Sequence, residues 1–473
     1  MGSRVVVIGG DAGGMSAAAE LRRRLPESDE VVVIERTDRT SYSACGIPYW
    51  VAGEVESADD LVSRTPEEHR KRGIDLRTAT EATAIDVDAS EVTVCRATPA
   101  GVPGHGRPDD TVEKIGYDRL VIATGAEPVR PSLPGIDAEG IFGIQTLLDG
   151  QEVIDALAED PEHVVVVGSG YIGLEMAEAC TLRGFDSTVI EARDTPLSIL
   201  EPALGEKVAD AMRGMGITLR TGTEVSGFAV DDGRVVGVEI DSTGQEGQTL
   251  PADVVILGLG VGARSEIAQK AGLPTGARGG IVVDSTQRVQ GFGDIWAAGD
   301  CVVTRDRITG ELIHVPLGTH ANKQGVVVAD SIAAEMLGEE PRLEFPGIVQ
   351  TAITKFCNLE VSRTGLGEQQ ARDAGFDPVV ATIKTTTIAG YLPAAGELIV
   401  LMVADRSTRR LLGVQIVGER NAGLRIDVAA TAITAEMTVD DVVMLDLAYA
   451  PPFASVWSPL LVAARSAVKL LSS

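Results

Sequence analysis

Val164-Val-Val-Val167-Gly168-Ser169-Gly170-Tyr171-Ile172-Gly173 reads as a buried strand running into a complete G-x-G-x-x-G turn. A helix is predicted from there to about Arg183, and a further strand, Ser187 to Ile190, ends on Glu191. In such a unit the glycines let the backbone approach a pyrophosphate at the helix N-terminus, and an acid about 20 residues on holds a ribose hydroxyl. Glu191 falls 23 residues after Gly168, so the unit is expected to take a dinucleotide on Gly168, Gly170, Tyr171, Ile172 and Gly173. The carboxylate suits a free 2′-hydroxyl and favours NADH, whereas Arg193 suits the 2′-phosphate of NADPH.

An earlier stretch repeats the pattern. Arg4 to Ile8 is a strand, Gly9-Gly10-Asp11-Ala12-Gly13-Gly14 a turn, Met15 to Arg24 a helix and Val31 to Ile34 a strand, closed by Glu35 26 residues after Gly9. Asp11 replaces the middle glycine, so strand, helix and acid together carry the reading against a merely structural turn. Tyr117 to Gly125 predicts another buried strand and small-residue turn, Ala123-Thr124-Gly125. Glu91 to Arg96 and Thr111 to Ile115 predict an antiparallel region before it, and Glu127 to Gly135 a linker. The second unit should end near Gly258-Leu259-Gly260, after which Gly280 to Asp284 and Asp294 to Asp300 return to the first. Asp300 is there either a cap or a contact for a sugar-like chain. Two dinucleotide units imply two nucleotides, one fixed and one exchangeable.

The expected division is a first unit at 1–150, a second at 151–260, a return to the first at 261–335, and a separate C-terminal unit at 345–473. That last part predicts strands at Pro378 to Thr382, Leu398 to Val403 and Gly413 to Val417, with helices at Arg425 to Glu436 and Val439 to Met444. Tyr449 to Trp457 concentrates aromatics and proline, which suits an interface.

With 473 residues, 53 glycines and only 4% aromatics, the chain suits an α/β protein rich in strand-to-helix turns rather than a sandwich. A net charge of −28 argues against nucleic acid, and leaves anionic small molecules to local cations and helix N-termini. Cysteines at 45, 95, 180, 301 and 357 form neither a disulfide framework nor a metal spacing, so a reducing setting and no metal are expected. The chain enters a strand at Val5 without a leader, and its longest apolar run, Val254 to Ala263, is short. A cytoplasmic protein that does not span a membrane is expected.

Ser41-Tyr42-Ser43-Ala44-Cys45-Gly46-Ile47-Pro48-Tyr49 places one thiol among small residues, with Pro48 suited to the first turn of a helix. Most lone cysteines are buried and structural. With two nucleotide units, Ala123-Thr124-Gly125 and Ala298-Gly299-Asp300, however, the chain resembles the FAD-dependent pyridine nucleotide-disulfide oxidoreductases over nearly its whole length. It is similar to their single-cysteine branch of coenzyme A disulfide reductases, NADH oxidases and NADH peroxidases. The two-cysteine branch has C-x4-C, and here Trp50 holds the second position.

The resemblance implies two Rossmann-like domains, for FAD and NAD(P), plus an α+β dimerisation domain, and hence a homodimer. It implies FAD contacts from Gly9, Asp11, Ala12, Gly13, Gly14, Glu35 and Arg36, from Ser43, Ala82, Ala123, Thr124 and Gly125, and from Gly299, Asp300 and Ala321. Glu175, Glu191 and Gly260 join the nucleotide set, with Tyr171 a gate over the nicotinamide pocket. Ala12 stands where oxidases and peroxidases have histidine, as in the reductases. Tyr391 and Tyr449 match two tyrosines that the partner subunit brings to the catalytic cysteine, here Cys45.

Ser16, Arg23, Ser41, Arg72 and Asn322 match substrate positions, with CoA as a possible ligand. Arg22 to Arg24 are alternatively plain cations at a helix C-terminus. The chain departs from the reductase pattern at Ala44, Asn322 and Trp457, where asparagine, histidine and lysine are usual. The expected reaction is NADH- or NADPH-driven reduction of CoA disulfide or a related small disulfide or persulfide, with a helix N-terminus stabilising the Cys45 thiolate. Flavin-mediated oxygen reduction and a low-turnover redox sensor are the alternatives. Cys95, Cys180, Cys301 and Cys357 are expected to be structural.

Overall fold

Two valine runs lie at the centres of two five-stranded sheets. The computed structural model describes residues 2–97, 112–242 and 245–472. In the first sheet the order is Ile295–Ala297, Arg119–Ile122, Arg4–Ile8, Glu30–Ile34, Asp75–Arg77, parallel throughout. In the second it is Thr218–Arg220, Ser187–Ile190, Val164–Val167, Val254–Leu257, Ile141–Gly143, also parallel. β-Branched residues pack both faces of each sheet, as parallel strands covered on two sides require. Helix Ala12–Arg24 and helix Tyr171–Leu182 follow the central strands as the turns predict.

Three sequence expectations shift. Ile141–Gly143 pairs in the second sheet, so that unit begins before residue 150. The strand expected at Thr111 to Ile115 is Glu113–Gly116, and Thr111 lies outside the described residues. Gly280 to Asp284 does return to the first unit, but as isolated bridges rather than a strand. The linker after Glu127 begins as a short strand, Ala126–Pro128, paired antiparallel with Val261–Ala263, so both connections between the units run side by side.

The C-terminal unit is an antiparallel five-stranded sheet ordered Ala352–Phe356, Leu359–Gly365, Leu411–Gly418, Glu397–Asp405, Pro378–Thr386. Leu411–Gly418 is buried at every position instead of alternating. Helices Ile426–Thr434 and Pro459–Leu471 cover one face, and the second nucleotide unit packs against the other. Helix Pro459–Leu471, unread in the sequence, buries Leu460, Leu461, Ala463, Ala464 and Ala467, an i, i+3, i+4, i+7 stripe. Among the described residues no helix is long and apolar enough to cross a membrane.

Helix Gly318–Leu337 lies against helix Ala12–Arg24. A Cβ on Gly325 would stand 2.3 Å from the Gly13 carbonyl oxygen and 2.8 Å from Ser16 Cβ. Alanine for glycine inside a helix ordinarily stabilises by about 1 kcal/mol. Here the sign reverses. Gly325→Ala is expected to destabilise by about 1–3 kcal/mol through overpacking, read as a lower Tm. A Tm at or above the wild-type value would show that the two helices part freely.

Candidate active site

The first cleft is built from backbone pressed against backbone. Gly9 has φ +109°, and a Cβ there would lie 2.0 Å from the Ala123 carbonyl oxygen. A Cβ on Gly14 would lie 2.0 Å from the Gly9 carbonyl oxygen, and one on Gly13 3.4 Å from Ala298 and Gly299. Gly299 in turn faces Ala321. The predicted turn, Ala123, Gly299 and Ala321 are thus brought together. Thr124 donates through its hydroxyl to the Arg264 carbonyl, and Gly125 has φ +73°. Ser43 is exposed just before the thiol, while Ala82 packs at the edge of the core beneath the antiparallel meander.

Three carboxylates converge on this cleft. Glu35 accepts from the Gly10 N–H at 2.7 Å, the Thr37 N–H at 2.8 Å and the Thr37 hydroxyl at 2.7 Å. Burial, followed by the charge of Glu35, pushes Asp11 up to about 7 despite backbone donors at Tyr42 and Ala12. Burial alone pushes Asp300 up to about 6. The Asp300 backbone carbonyl accepts from His314 Nε2 at 2.7 Å, and Gln324 Oε1 accepts from the Gly299 N–H at 2.8 Å. Its carboxylate caps no helix. The Arg36 guanidinium is lowered by burial and by Arg264 beside it. Poorly hydrated carboxylates want hydroxyl donors and converging guanidiniums want an anion, so the cleft fits a dinucleotide with a polyol chain and a pyrophosphate.

Cys45 lies in a short 3₁₀ turn, Ala44–Gly46, which runs into helix Ile47–Ala52 with Pro48 in its first turn. The residue is solvent-accessible, yet lost hydration is the largest cause raising its thiol pKa, followed by Glu175 and then Asp300. That corrects the expectation of a stabilised thiolate. One helical turn cannot offset two nearby carboxylates. Arg183 donates to the Val51 carbonyl and helix Ile47–Ala52 packs on helix Tyr171–Leu182, so the turn that carries the thiol lies against the second unit.

The second turn repeats the steric device: a Cβ on Gly173 would lie 2.0 Å from the Gly168 carbonyl oxygen. Gly168 and Gly260 have φ +92° and +81°. Gly170 precedes helix Tyr171–Leu182 as its N-cap, and Ile172 packs against the core beneath. Glu191 accepts from the Ser169 N–H at 3.0 Å and the Arg193 N–H at 2.8 Å, so the acid and the arginine sit together at the strand end. Glu175 Oε1 accepts from the Thr354 hydroxyl at 2.7 Å, and burial raises its pKa. Thr354 comes from the C-terminal sheet, 179 residues away, which is why no local signal announced it.

Of the expected substrate residues, Ser16 donates from its hydroxyl to Asn322 Oδ1 at 3.0 Å. Ser41, at φ +51°, lies 2.9 Å from Nε2 of the buried His69, another unforeseen neighbour. Burial and then Arg64 and Arg72 lower His69 to about 4. Arg22 caps carbonyls of Leu25 and Pro26, and Arg24 pairs with buried Asp330, so both are structural. Arg23 stays exposed beside Glu20. Where the family has a lysine, the Trp457 ring carries Arg465 4.4 Å above it. Tyr391 is 76% exposed and Tyr449 50%, and neither hydroxyl meets a partner within the chain among the described residues. Cys180 and Cys301 are buried, whereas Cys357 is exposed.

Comparison with known proteins agrees with this geometry. Residues 3–325 match the model described as pyridine nucleotide-disulphide oxidoreductase, and residues 351–460 its dimerisation domain. An NAD(P)H coenzyme A polysulfide/persulfide reductase of Pyrococcus horikoshii is 37% identical over 98% of both chains. A Methanocaldococcus jannaschii NADH oxidase is 33% identical over 99% of this chain and 100% of its own. The structure of an NAD-dependent persulfide reductase from A. fulgidus superposes with a TM-score of 0.91 at 35% identity, covering 99% of this chain and 84% of that one. Two glycine turns, a C-terminal antiparallel sheet and relatives alike from end to end leave one assignment: the chain belongs to the pyridine nucleotide-disulphide oxidoreductases.

Proposed function

We propose that the protein is an FAD-dependent NAD(P)H:disulfide oxidoreductase in which Cys45 is the sole redox-active cysteine. Its substrate is CoA disulfide or a related low-molecular-weight disulfide or persulfide. The observation that carries this is an accessible thiol, Cys45, in a turn packed against the second nucleotide unit, in a chain alike from end to end to an NAD(P)H coenzyme A polysulfide/persulfide reductase. FAD, when bound, supplies what side chains cannot: it accepts hydride from a nicotinamide and passes two electrons to sulfur.

The chain supplies the rest. Asp11, Glu35 and Asp300 would accept from hydroxyls of the flavin nucleotide, while Arg36 and the first glycine turn would hold its pyrophosphate. Gly168 to Gly173 would hold the second nucleotide, Glu191 would take a ribose hydroxyl, and Tyr171, first residue of the helix, would cover the nicotinamide pocket. Cys45 as thiolate attacks RSSR, forming a Cys45–SR bond and releasing RS⁻. Two electrons from NADH then cleave that bond, so RSSR, NADH and one proton give two RSH and NAD⁺.

Arg64, Lys71 and Arg72 form no ion pair among the described residues and are the cations an anionic thiol such as CoA meets near Ser41. In a homodimer Tyr391 and Tyr449 of each subunit reach the Cys45 of the other and donate to the departing thiolate. Exposed Met444, Phe453 and Val456 give that face its apolar area. Cys45, Cys180, Cys301 and Cys357, all outside any disulfide, suit a reducing, cytoplasmic setting.

Cys45→Ser is expected to lower NADH-driven CoA disulfide reduction on the order of 10³-fold or more while keeping the flavin. Undiminished disulfide turnover would sink the assignment. The NADH oxidase relative makes oxygen the competing acceptor, and oxygen uptake that survives in this variant would favour it. The intact mass of untreated protein is expected to show a reductant-labile adduct on Cys45 that identifies the cognate thiol.

A pH effect follows from the two carboxylates. They raise the Cys45 pKa, so at neutral pH the thiol is mostly protonated and its reactivity climbs as pH rises toward the raised pKa. Glu175→Gln removes one of the negative charges. The pH profile of Cys45 alkylation by iodoacetamide in the reduced holoenzyme should move to lower pH, and an unmoved or raised profile would refute the coupling.

A further inference from the structure

Arg363 is an anomaly in the C-terminal sheet. It is 1% exposed, and its Nη2 donates only to neutral groups, the Gly365 carbonyl and Gln370 Oε1. Its Nε and Nη1 are buried with no partner. A buried cation without a carboxylate costs several kcal/mol, so its retention calls for a reason.

Its surroundings show what it faces. Gln415 is its cross-strand neighbour, and Gln415 Oε1 accepts from the Glu201 N–H at 2.7 Å, which places Arg363 at the seam with the second nucleotide unit. The nearest carboxylates are engaged elsewhere. Asp306 accepts from Ile308, Thr309 and Gln350, and Glu201 from the Glu368 N–H. Across the seam stands Tyr171, first residue of the nucleotide helix, whose hydroxyl is likewise buried without a partner. Glu175, one helical turn after Tyr171, accepts from Thr354, and Arg363 pairs in register with Ala352 two residues before Thr354, so the guanidinium and the phenol lie along the same seam. One side has unused donors and the other an unused acceptor oxygen.

We propose that Arg363 is a positioning residue for the nicotinamide nucleotide, receiving the Tyr171 hydroxyl on its Nε and Nη1 when the ring moves aside to admit the ligand. The inference rests on the reading that Tyr171 covers the nicotinamide pocket. It makes a wall of the C-terminal sheet part of nucleotide binding.

The test uses the flavin-loaded protein and NADH as probe, with Kd from fluorescence and kcat and KM from turnover. Arg363→Met should weaken NADH binding about tenfold, the scale of one hydrogen bond to a charged group. It should leave kcat within about twofold and Tm unchanged or raised, because removing an unpaired buried cation does not destabilise. Arg363→Lys should recover part of the affinity, and it remains a readable variant if the methionine protein does not fold. Tyr171→Phe should weaken NADH comparably, and the double variant should be no weaker than the worse single one.

A lower Tm with unchanged Kd, or losses that multiply in the double variant, would overturn the proposal. An unchanged Kd in Tyr171→Phe would refute the placement of Tyr171, and with it this inference. Absence of disulfide turnover in the wild type would refute only the substrate reading, since Kd still decides the role of Arg363.

Discussion

Two carbonyl oxygens leave no room for a side chain, and the active centre is built on that exclusion. The Gly9 carbonyl would lie 2.0 Å from any Cβ at Gly14, and the Gly168 carbonyl 2.0 Å from any Cβ at Gly173. Strand end and helix start are therefore in direct backbone contact in both units. The missing side chains leave the backbone at each helix start open to close approach, while the Gly10 and Ser169 N–H groups are held by Glu35 and Glu191; an open helix N-terminus is what a pyrophosphate needs. The larger architecture follows: each turn must be backed by a rigid sheet, and each sheet is covered on both faces by apolar side chains.

Around the first turn the balance of charge is unusual. Asp11, Glu35 and Asp300 share one poorly hydrated region, and Asp11 and Asp300 are held well above the ordinary carboxylate range. Such crowding costs free energy in the absence of hydroxyl donors, and a bound sugar chain relieves it. Cys45 stands at the margin of the same field, and its thiol is raised for the same two reasons, burial and negative neighbours. Asp300 is common to both: it belongs to the carboxylate cluster of the first cleft and, after Glu175, to the charges that raise the Cys45 thiol.

The C-terminal sheet does more than associate subunits. One face receives its own helices and the other packs on the nucleotide unit, so every residue of Leu411–Gly418 is buried. From that second face Thr354 reaches Glu175 and Arg363 reaches the neighbourhood of Tyr171. Glu175, on the helix that follows the second glycine turn, therefore has its polar partner supplied by a different domain.

Much was legible along the chain because it depends on local spacing. Glycine turns, the acids at Glu35 and Glu191 and the strand–helix alternation each fall within some 30 residues, the span over which backbone geometry dictates residue type. Leu398 to Val403 and Gly413 to Val417 are buried at every position, because burial on two faces leaves no alternation to read. Helix Pro459–Leu471 was not legible because alanine fills half of its six buried positions, Pro459, Leu460, Leu461, Ala463, Ala464 and Ala467, which leaves little apolar contrast along the chain. The state of the Cys45 thiol, the partners of Glu175, Ser41 and Tyr171, and the split of Arg22, Arg23 and Arg24 into cap, exposed cation and ion pair came only from the tertiary structure. Each depends on groups tens to hundreds of residues apart, and Coulomb and desolvation energies follow distance in space rather than position in the chain.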